Sequence, residues 1–197
     1  MRRLFADRPV HLDAIARYHT DNAGMSRYDK FRHFYDTMFQ EPLSDAEMNR
    51  LDRAFGELVA LEIDACPFVA GARAFLEARA TELPLFVASG TPQPELRDIV
   101  ERRGLGPLFA GVYGSPASKA SHLRAIAERL QTTPAALLFV GDGRQDFEAA
   151  AEVGSRFIGR VPRGEAGVFP PGTVIVGDLD ELAGRWAELT SADGEVR

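Results

Sequence analysis

The chain has 197 residues, 45% of them apolar, and a net charge of −6 from 23 Lys and Arg against 29 Asp and Glu. That composition is globular, sized for one domain or one domain with a small appendage, and its acidic balance gives no diffuse attraction to nucleic acid or an anionic membrane. Cys66 is the one cysteine, so no intrachain disulfide can form; no apolar run reaches the roughly 18 residues of a membrane helix, and the N-terminus lacks the apolar stretch of a secretory signal, so a cytoplasmic location is expected, with no nucleic-acid or membrane partner.

Residues 1–65 show helical periodicity and no strand pattern. Leu12, Ile15, Ala16 and His19 recur at i, i+3, i+4 and i+7, and Phe31, Phe34, Tyr35 and Met38 repeat the spacing, which puts each set on one helix face. Gly24 separates the first two helices, and Glu41-Pro42 the second from a third. Ser44-Asp45-Ala46-Glu47 opens that third helix as a capping box, and it runs towards Asp64. From Pro67 the pattern changes. A helix over about 69–80 precedes the apolar run Leu83–Ala88, ended by Ser89-Gly90-Thr91-Pro92, and a further helix to Arg103 stops at Gly104. The run Ala110–Tyr113, a helix over about 119–131, the run Leu137–Val140, a helix over about 146–153, two short strands at Phe157-Ile158 and Val174–Val176, and a helix from about Leu179 complete the order. Continuous apolar strands alternating with helices predict an α/β class with a parallel sheet covered on both faces. The polar tail Ser191–Arg197 is expected to fray.

In an open parallel sheet, ligands bind beyond the carboxyl ends of the strands. Three such points carry suggestive groups. Ser89-Gly90-Thr91 offers hydroxyls and backbone N–H groups that suit a phosphate, or that simply cap the following helix. Lys119 stands at the start of a helix, where a cation opposes the macrodipole and an anion would relieve the conflict; the plain alternative is a solvated surface lysine. Gly141-Asp142-Gly143-Arg144-Gln145-Asp146 sets two carboxylates four residues apart at a strand end. They could hold a hard cation such as Mg²⁺, or Asp146 could serve only as a helix N-cap.

A small hydroxyl, then Lys, then Gly-Asp-x-x-x-Asp, each at the end of successive strands, closely resembles the second, third and fourth motifs of the haloacid dehalogenase (HAD) superfamily. Residues 22–33, Asn22-Ala23-Gly24-Met25-Ser26-Arg27-Tyr28-Asp29-Lys30-Phe31-Arg32-His33, resemble the cap of its phosphoglycolate-phosphatase-like members. The resemblance covers roughly residues 10–185. It implies a Rossmann-like parallel core over 67–197 under a small all-helical cap over 1–66. It also implies a Mg²⁺-dependent phosphatase of a small phosphorylated metabolite, working through an aspartyl-phosphate. Ser89, with Gly90 and Thr91, would bind the transferring phosphoryl group and Lys119 would neutralise it, making Ser89 and Lys119 catalytic; Asp142 and Asp146 would hold the metal. Arg27, with Lys30, would face the cleft and select an anionic substrate, the alternative for Arg27 being a surface pairing with Asp21 or Asp29.

The family's first motif, Asp-x-Asp-Gly after a central first strand, does not occur ahead of the helical residues. Asp178-Leu179-Asp180 mimics it but is followed by Glu181-Leu182 and reads as a helix N-cap. Without that strand, its two neighbours in the sheet are expected to carry unpaired backbone groups, and these 197 residues by themselves are expected to lack turnover. The competing reading is a non-catalytic protein that keeps a phosphate or Mg²⁺ pocket. A metal-independent dehalogenase is disfavoured by Asp142 and Asp146, and a sugar-phosphate mutase stays open.

Overall fold

One aromatic cluster organises the helical third. The computed structural model describes residues 1–22 and 24–191, so the tail residues 192–197 lie outside the described part. Helix α1 (Leu12–Asp21), α2 (Arg27–His33) and α3 (Asp45–Ala65) surround buried Leu4, Phe5, Ile15, Phe31, Phe34, Tyr35 and Leu51. Leu4 and Phe5 belong to no helix. Phe5 is edge-on to Phe34 at 5.5 Å and to Phe31 at 6.0 Å, so the non-helical N-terminal segment plugs the cluster. Ser26 caps α2 by accepting from the Asp29 N–H, and Ser44 caps α3 by accepting from the Glu47 N–H. The second half of the Ser44 capping box is not made, because the Glu47 carboxylate turns to Tyr35 and Arg50. The stripe from Phe31 to Met38 is not one α-helix: after His33 it widens into a π-helical turn over Phe34–Phe39, which Gln40 ends in the left-handed conformation at φ 56°.

The strand-bearing part starts after Pro67. Helix α4 (Ala72–Ala80) leads to β1 (Phe86–Pro92), α5 (Gln93–Arg102), β2 (Gly111–Ser115), α6 (Lys119–Arg129), β3 (Leu138–Gly141), α7 (Arg144–Val153), β4 (Arg156–Arg160), β5 (Ile175–Val176), α8 (Leu179–Gly184) and α9 (Trp186–Thr190). Every strand pairing is parallel. Side chains alternate across β3: Leu138 and Val140 pack with Ile158, Val176 and Leu182, while Leu137 and Phe139 pack with Ala120, Leu123 and Ala149. Both faces of β3 are therefore covered, the reason its sequence is continuously apolar. The connecting segment is pinned from the far end of the chain, where the Leu179 N–H donates to the Ala70 carbonyl at 3.0 Å. Gly71, at φ +72°, has no room for a side chain: a Cβ would stand 2.4 Å from the Asp180 backbone nitrogen.

The strands form two sheets, β1-β2 and β3-β4-β5. Strands β1 and β3 are each hydrogen-bonded on one side only, among the described residues. Their burial reflects it. No residue of β1 or β3 is fully buried, whereas Phe157, Ile158 and Gly159 of β4 are.

The aromatic cluster sets a stability test. Leu51 is 0% exposed and Val10 89% exposed. Leu51→Ala should lower unfolding stability by about 2–5 kcal/mol, and Val10→Ala by no more than about 0.5 kcal/mol, read as shifts of the urea midpoint at constant slope.

Candidate active site

Ser89, Gly90 and Thr91 are the last residues of β1 before Pro92, not a turn after it. Helix α5 takes Pro92 as its N-cap, with no side-chain cap, so neither hydroxyl is spent on capping. Ser89 Oγ instead donates to Thr91 Oγ1 at 3.1 Å and accepts from the Thr91 N–H at 3.2 Å. The pair is fixed as a unit at the strand's carboxyl end.

Lys119 is the first residue of α6, whose cap is Ser118. The dipole conflict there is answered by a carboxylate: Lys119 Nζ lies 2.5 Å from Asp146 Oδ1, with the two side chains only 12% and 6% exposed. Asp146 is not the N-cap of α7. That is Gly143, and Asp146 Oδ2 accepts the Gly143 N–H at 3.0 Å. Asp146 leans so closely on the end of β3 that a Cβ on Gly141 would be 2.4 Å from its own Cβ. Gly141 therefore makes room for Asp146, whereas Gly143 has ordinary extended backbone at φ −106°. Asp142 is exposed.

From the helical N-terminal third, the Gly24-Met25 loop enters this region. A Cβ on Gly90 would meet the Gly24 carbonyl oxygen at 2.7 Å, and one on Gly24 would stand 3.0 Å from Lys119 Nζ. The Gly24-Met25 loop thus lies against the backbone at the end of β1 and close to the Lys119 side chain at the start of α6. Beside it opens a cleft of about 210 Å³ walled by His19, Met25, Arg27, Lys30, Phe55 and the Ser89-Gly90-Thr91 edge, among others. Among the described residues, no carboxylate lines it.

The two cations of α2 behave differently. Arg27 is 6% exposed, and its guanidinium is already committed, at 3.1 Å to the Asp52 carboxylate on α3 and at 2.7 Å to the Glu95 carboxylate on α5. It also stacks 4.6 Å above the Phe55 ring. Neither Asp21 nor Asp29 is its partner; Asp29 pairs with Arg32. Lys30 is 3% exposed and donates to His19 Nδ1 at 3.1 Å, with a longer contact of 3.4 Å to the His19 carbonyl. It makes no ion pair among the described residues. Burial, and then the nearby Lys119, press its ammonium down to about 8, and burial followed by Lys30 presses His19 down to about 4. His19 is therefore neutral at pH 7, with Nδ1 free to accept from Lys30.

Of the residues singled out in sequence, Ser89, Gly90, Thr91, Arg27 and Lys30 share one cleft, and Lys119 and Asp146 are joined beside it. Asp142 makes no side-chain hydrogen bond or ion pair with either, among the described residues. No set of three or more His, Cys, Asp or Glu side chains is grouped to hold a metal, among the described residues. The donor set present is one open carboxylate, Asp142, plus Asp146, whose two oxygens are occupied by Lys119 and Gly143. A cation would need further oxygens from a ligand, which is how Mg²⁺ is commonly held by phosphate esters. His19, Asp52, Phe55 and Glu95 were not identified as site residues in the sequence. For His19 a signal existed: it is the polar member of an otherwise apolar helix stripe.

A split parallel α/β fold with this edge of hydroxyl, lysine and aspartate belongs to a known class of hydrolases. The sequence model of the haloacid dehalogenase-like hydrolases matches residues 3–154, and the chain belongs to that family. It is 32% identical over 113 residues to the phosphoglycolate phosphatase of Escherichia coli K12, a match covering 55% of this chain and 44% of the relative, so it matches less than half of that protein's length. The Salmonella paratyphi A phosphoglycolate phosphatase matches over the same length at 32%. Among solved structures, a predicted phosphatase from Clostridium acetobutylicum superposes with a TM-score of 0.68 at 18% identity, over 90% of this chain and 82% of that one. A predicted phosphoglycolate phosphatase from Haemophilus somnus 129pt gives 0.62 at 20%, over 86% and 79%. Both likenesses are of fold. Among the described residues, no helix is long and apolar enough to cross a membrane.

Two expectations follow. Arg27→Ala would strand the Asp52 and Glu95 carboxylates, each about 30% exposed, and should cost about 1–3 kcal/mol in urea unfolding, whereas Arg32→Ala on the surface should cost less than about 1 kcal/mol. For His19 the folded value, about 4, lies below the unfolded 6.5, so between these limits the unfolded chain binds more protons. Stability should fall as pH drops through that window, and His19→Gln should flatten the fall in pH-dependent urea melts.

Proposed function

We propose that this chain is the greater part of a HAD-type phosphomonoester hydrolase acting on a small phosphorylated metabolite of the phosphoglycolate kind. In this reading residues 1–66 form a cap and residues 67–197 the core that holds the phosphate. The observation that carries it is the cleft itself: hydroxyls and backbone at the end of β1 face buried cap cations across a small space with no carboxylate on its walls. Such a surface suits a compact polyanion. Its volume of about 210 Å³ is below the range of roughly 300–1,000 Å³ typical of drug-sized ligands, which favours a metabolite of a few carbons over a nucleotide.

Each residue then has a task. Ser89 and Thr91 hydrogen-bond phosphoryl oxygens, with the Gly90 backbone allowing close approach. Lys119 neutralises the phosphoryl group, and its present partner Asp146 marks where negative charge is accepted. Asp142, with Asp146 once Lys119 turns to the phosphate, would hold Mg²⁺. That ion would shield phosphate charge from an anionic nucleophile. The nucleophile of an aspartyl-phosphate mechanism is not supplied by the residues that meet here. Asp178, the one core residue whose sequence context mimics it, caps α8 by accepting the Glu181 N–H at 2.8 Å.

The 197 residues alone, given Mg²⁺ and p-nitrophenyl phosphate or 2-phosphoglycolate, should show no turnover above background, since loss of an attacking group typically removes several orders of magnitude in rate. Fusing an N-terminal segment with a strand and Asp-x-Asp-Gly should give Mg²⁺-dependent phosphate release, abolished by chelation and by Lys119→Met. Robust turnover by the 197 residues, abolished by Asp178→Asn, would overturn the reading.

A further inference from the structure

The apolar clusters stop at one boundary. One is built from residues between 1 and 58 and the other two from residues between 75 and 189; among the described residues, none draws on both sides. Where the helical third meets the strand-bearing part, α3 lies along α5, and the named links between these helices are polar. At one end the Arg27 guanidinium, 3.1 Å from Asp52 of α3, reaches Glu95 of α5 at 2.7 Å. At the other end Arg102 of α5 pairs with Asp64 of α3 at 3.1 Å, and Arg103 donates to the Ile63 and Asp64 carbonyls. Asp52 precedes Asp64 as Glu95 precedes Arg102, so the helices run the same way. The twelve residues from Asp52 to Asp64 set the two ends about 18 Å apart along α3.

The two ends differ in what happens when a link breaks. The Asp64 end is next to the covalent connection between α3 and α4. Arg103 stacks there, 4.1 Å from the Phe68 ring of the connecting segment, and Ala70 of that segment is held by the Leu179 N–H. Separation at this end is opposed by the chain itself. The Glu95 end has no such tie. Arg27, 6% exposed, cannot be left without an acid, because an uncompensated buried charge is strongly destabilising. It has one acid on each side of the boundary. When Glu95 withdraws, Arg27 keeps Asp52, and Glu95, already 27% exposed, passes to water. The link can open without stranding a charge.

We propose that Glu95 is a releasable latch. Its pairing with Arg27 holds the Asp52 end of α3 against α5, rising ionic strength weakens that pairing, and release pivots the helical third about the Arg103–Phe68 end. The cleft widens as a result, because its walls come from both sides: His19, Met25 and Phe55 from one, Ser89-Gly90-Thr91 from the other. The sign of the salt effect separates this from an apolar junction. Between about 0.01 M and about 1 M the Debye length falls from about 30 Å to about 3 Å, which weakens a partly exposed ion pair. Apolar burial is not weakened in this way, and excluded salts strengthen it. The latch operates whatever the cleft binds, so it stands or falls separately from the phosphatase reading.

The test reads the separation of α3 and α5 directly. Spin labels are placed at Glu57→Cys and Asp98→Cys, two exposed positions, one on each helix, in the 197-residue chain carrying Cys66→Ser. Label distances are measured by pulsed electron spin resonance in sodium chloride at about 0.01 M and about 1 M. The labelled parent should show chiefly a short separation at low salt. At high salt the ratio of long to short separations should rise about threefold or more, the order expected for loss of one ion pair. Glu95→Gln should show the longer separation already at low salt and respond little to added salt. Arg102→Gln, at the pivot end, should keep the short separation at low salt. Asp29→Asn, which breaks only the exposed Asp29–Arg32 pair within α2, should match the parent at both salts. The inference is overturned if the parent's separation is the same at both salts, or if Glu95→Gln leaves it short at low salt. It is also overturned if Arg102→Gln or Asp29→Asn lengthens it at low salt as Glu95→Gln does, since the loosening would then be general. Should Glu95→Gln fail to fold by circular dichroism, the parent's salt response and Arg102→Gln still decide.

Discussion

The constraint on which the site depends is the placing of three cations, Arg27, Lys30 and Lys119, in or against one buried space. Positive charge out of water is stable only when something balances it. Here the balancing groups double as the joints between elements. Arg27 reaches Asp52 on α3 and Glu95 on α5, so it neutralises itself and fastens the two helices in one act. Arg102 and Arg103, at the other end of α5, reinforce this by binding the Asp64 carboxylate and the Ile63 and Asp64 carbonyls at the end of α3. The Lys119–Asp146 pair fastens α6 to α7 in the same way. What closes the cleft also sets its charge.

The split sheet is the complementary constraint. β1 and β3 have apolar sequences suited to the interior of a parallel sheet, yet each is paired on one side. The two half-sheets are tied together by other means. Lys119, on the helix that follows β2, holds Asp146, on the helix that follows β3. Gly24 of the cap touches both the β1 end and Lys119. A side chain at Gly90 would collide with the Gly24 carbonyl, and Gly24 sits at φ +88°, a conformation L side chains rarely adopt, so both positions favour glycine for reasons independent of any ligand. The structure thus keeps the Ser89–Thr91 edge and the Lys119–Asp146 pair together although, among the described residues, the two sheets share no strand pairing.

Much of this was legible in the sequence, and the exceptions share a cause. The α/β class, the parallel strands and nearly every helix followed from periodicity and caps, because those signals are local. The N-cap role of Asp178 was read correctly for the same reason. The misplacements came where tertiary contact changed a local rule. Ser89 and Thr91 look like helix caps, but β1 runs on through them because pairing with β2 extends to Ser115. Asp146 looks like an N-cap, but Gly143 takes that place because Asp146 is drawn towards Lys119 from a helix 27 residues earlier in sequence. The aromatic stripe reads as one α-helix, but the turn holding buried Phe34 and Tyr35 is π-helical, which the i, i+3, i+4 spacing does not distinguish from an α-helix. Leu4 and Phe5 escaped notice because two apolar residues in a charged segment have no period.

Arg27 and Lys30 show most clearly what a sequence leaves out. Both are long cations on one short helix, three positions apart, and by pattern they are interchangeable candidates for an anion. Their neighbours divide them. Arg27 faces α3 and α5, each of which presents a carboxylate, and a planar guanidinium can satisfy two acids at once. Lys30 faces α1 and α6, which present a histidine and another lysine. The first arrangement completes a structure, and the second leaves Lys30 without an ion pair among the described residues. Which of two similar residues is structural and which is available is therefore decided by the helices opposite, and those come together only in the fold.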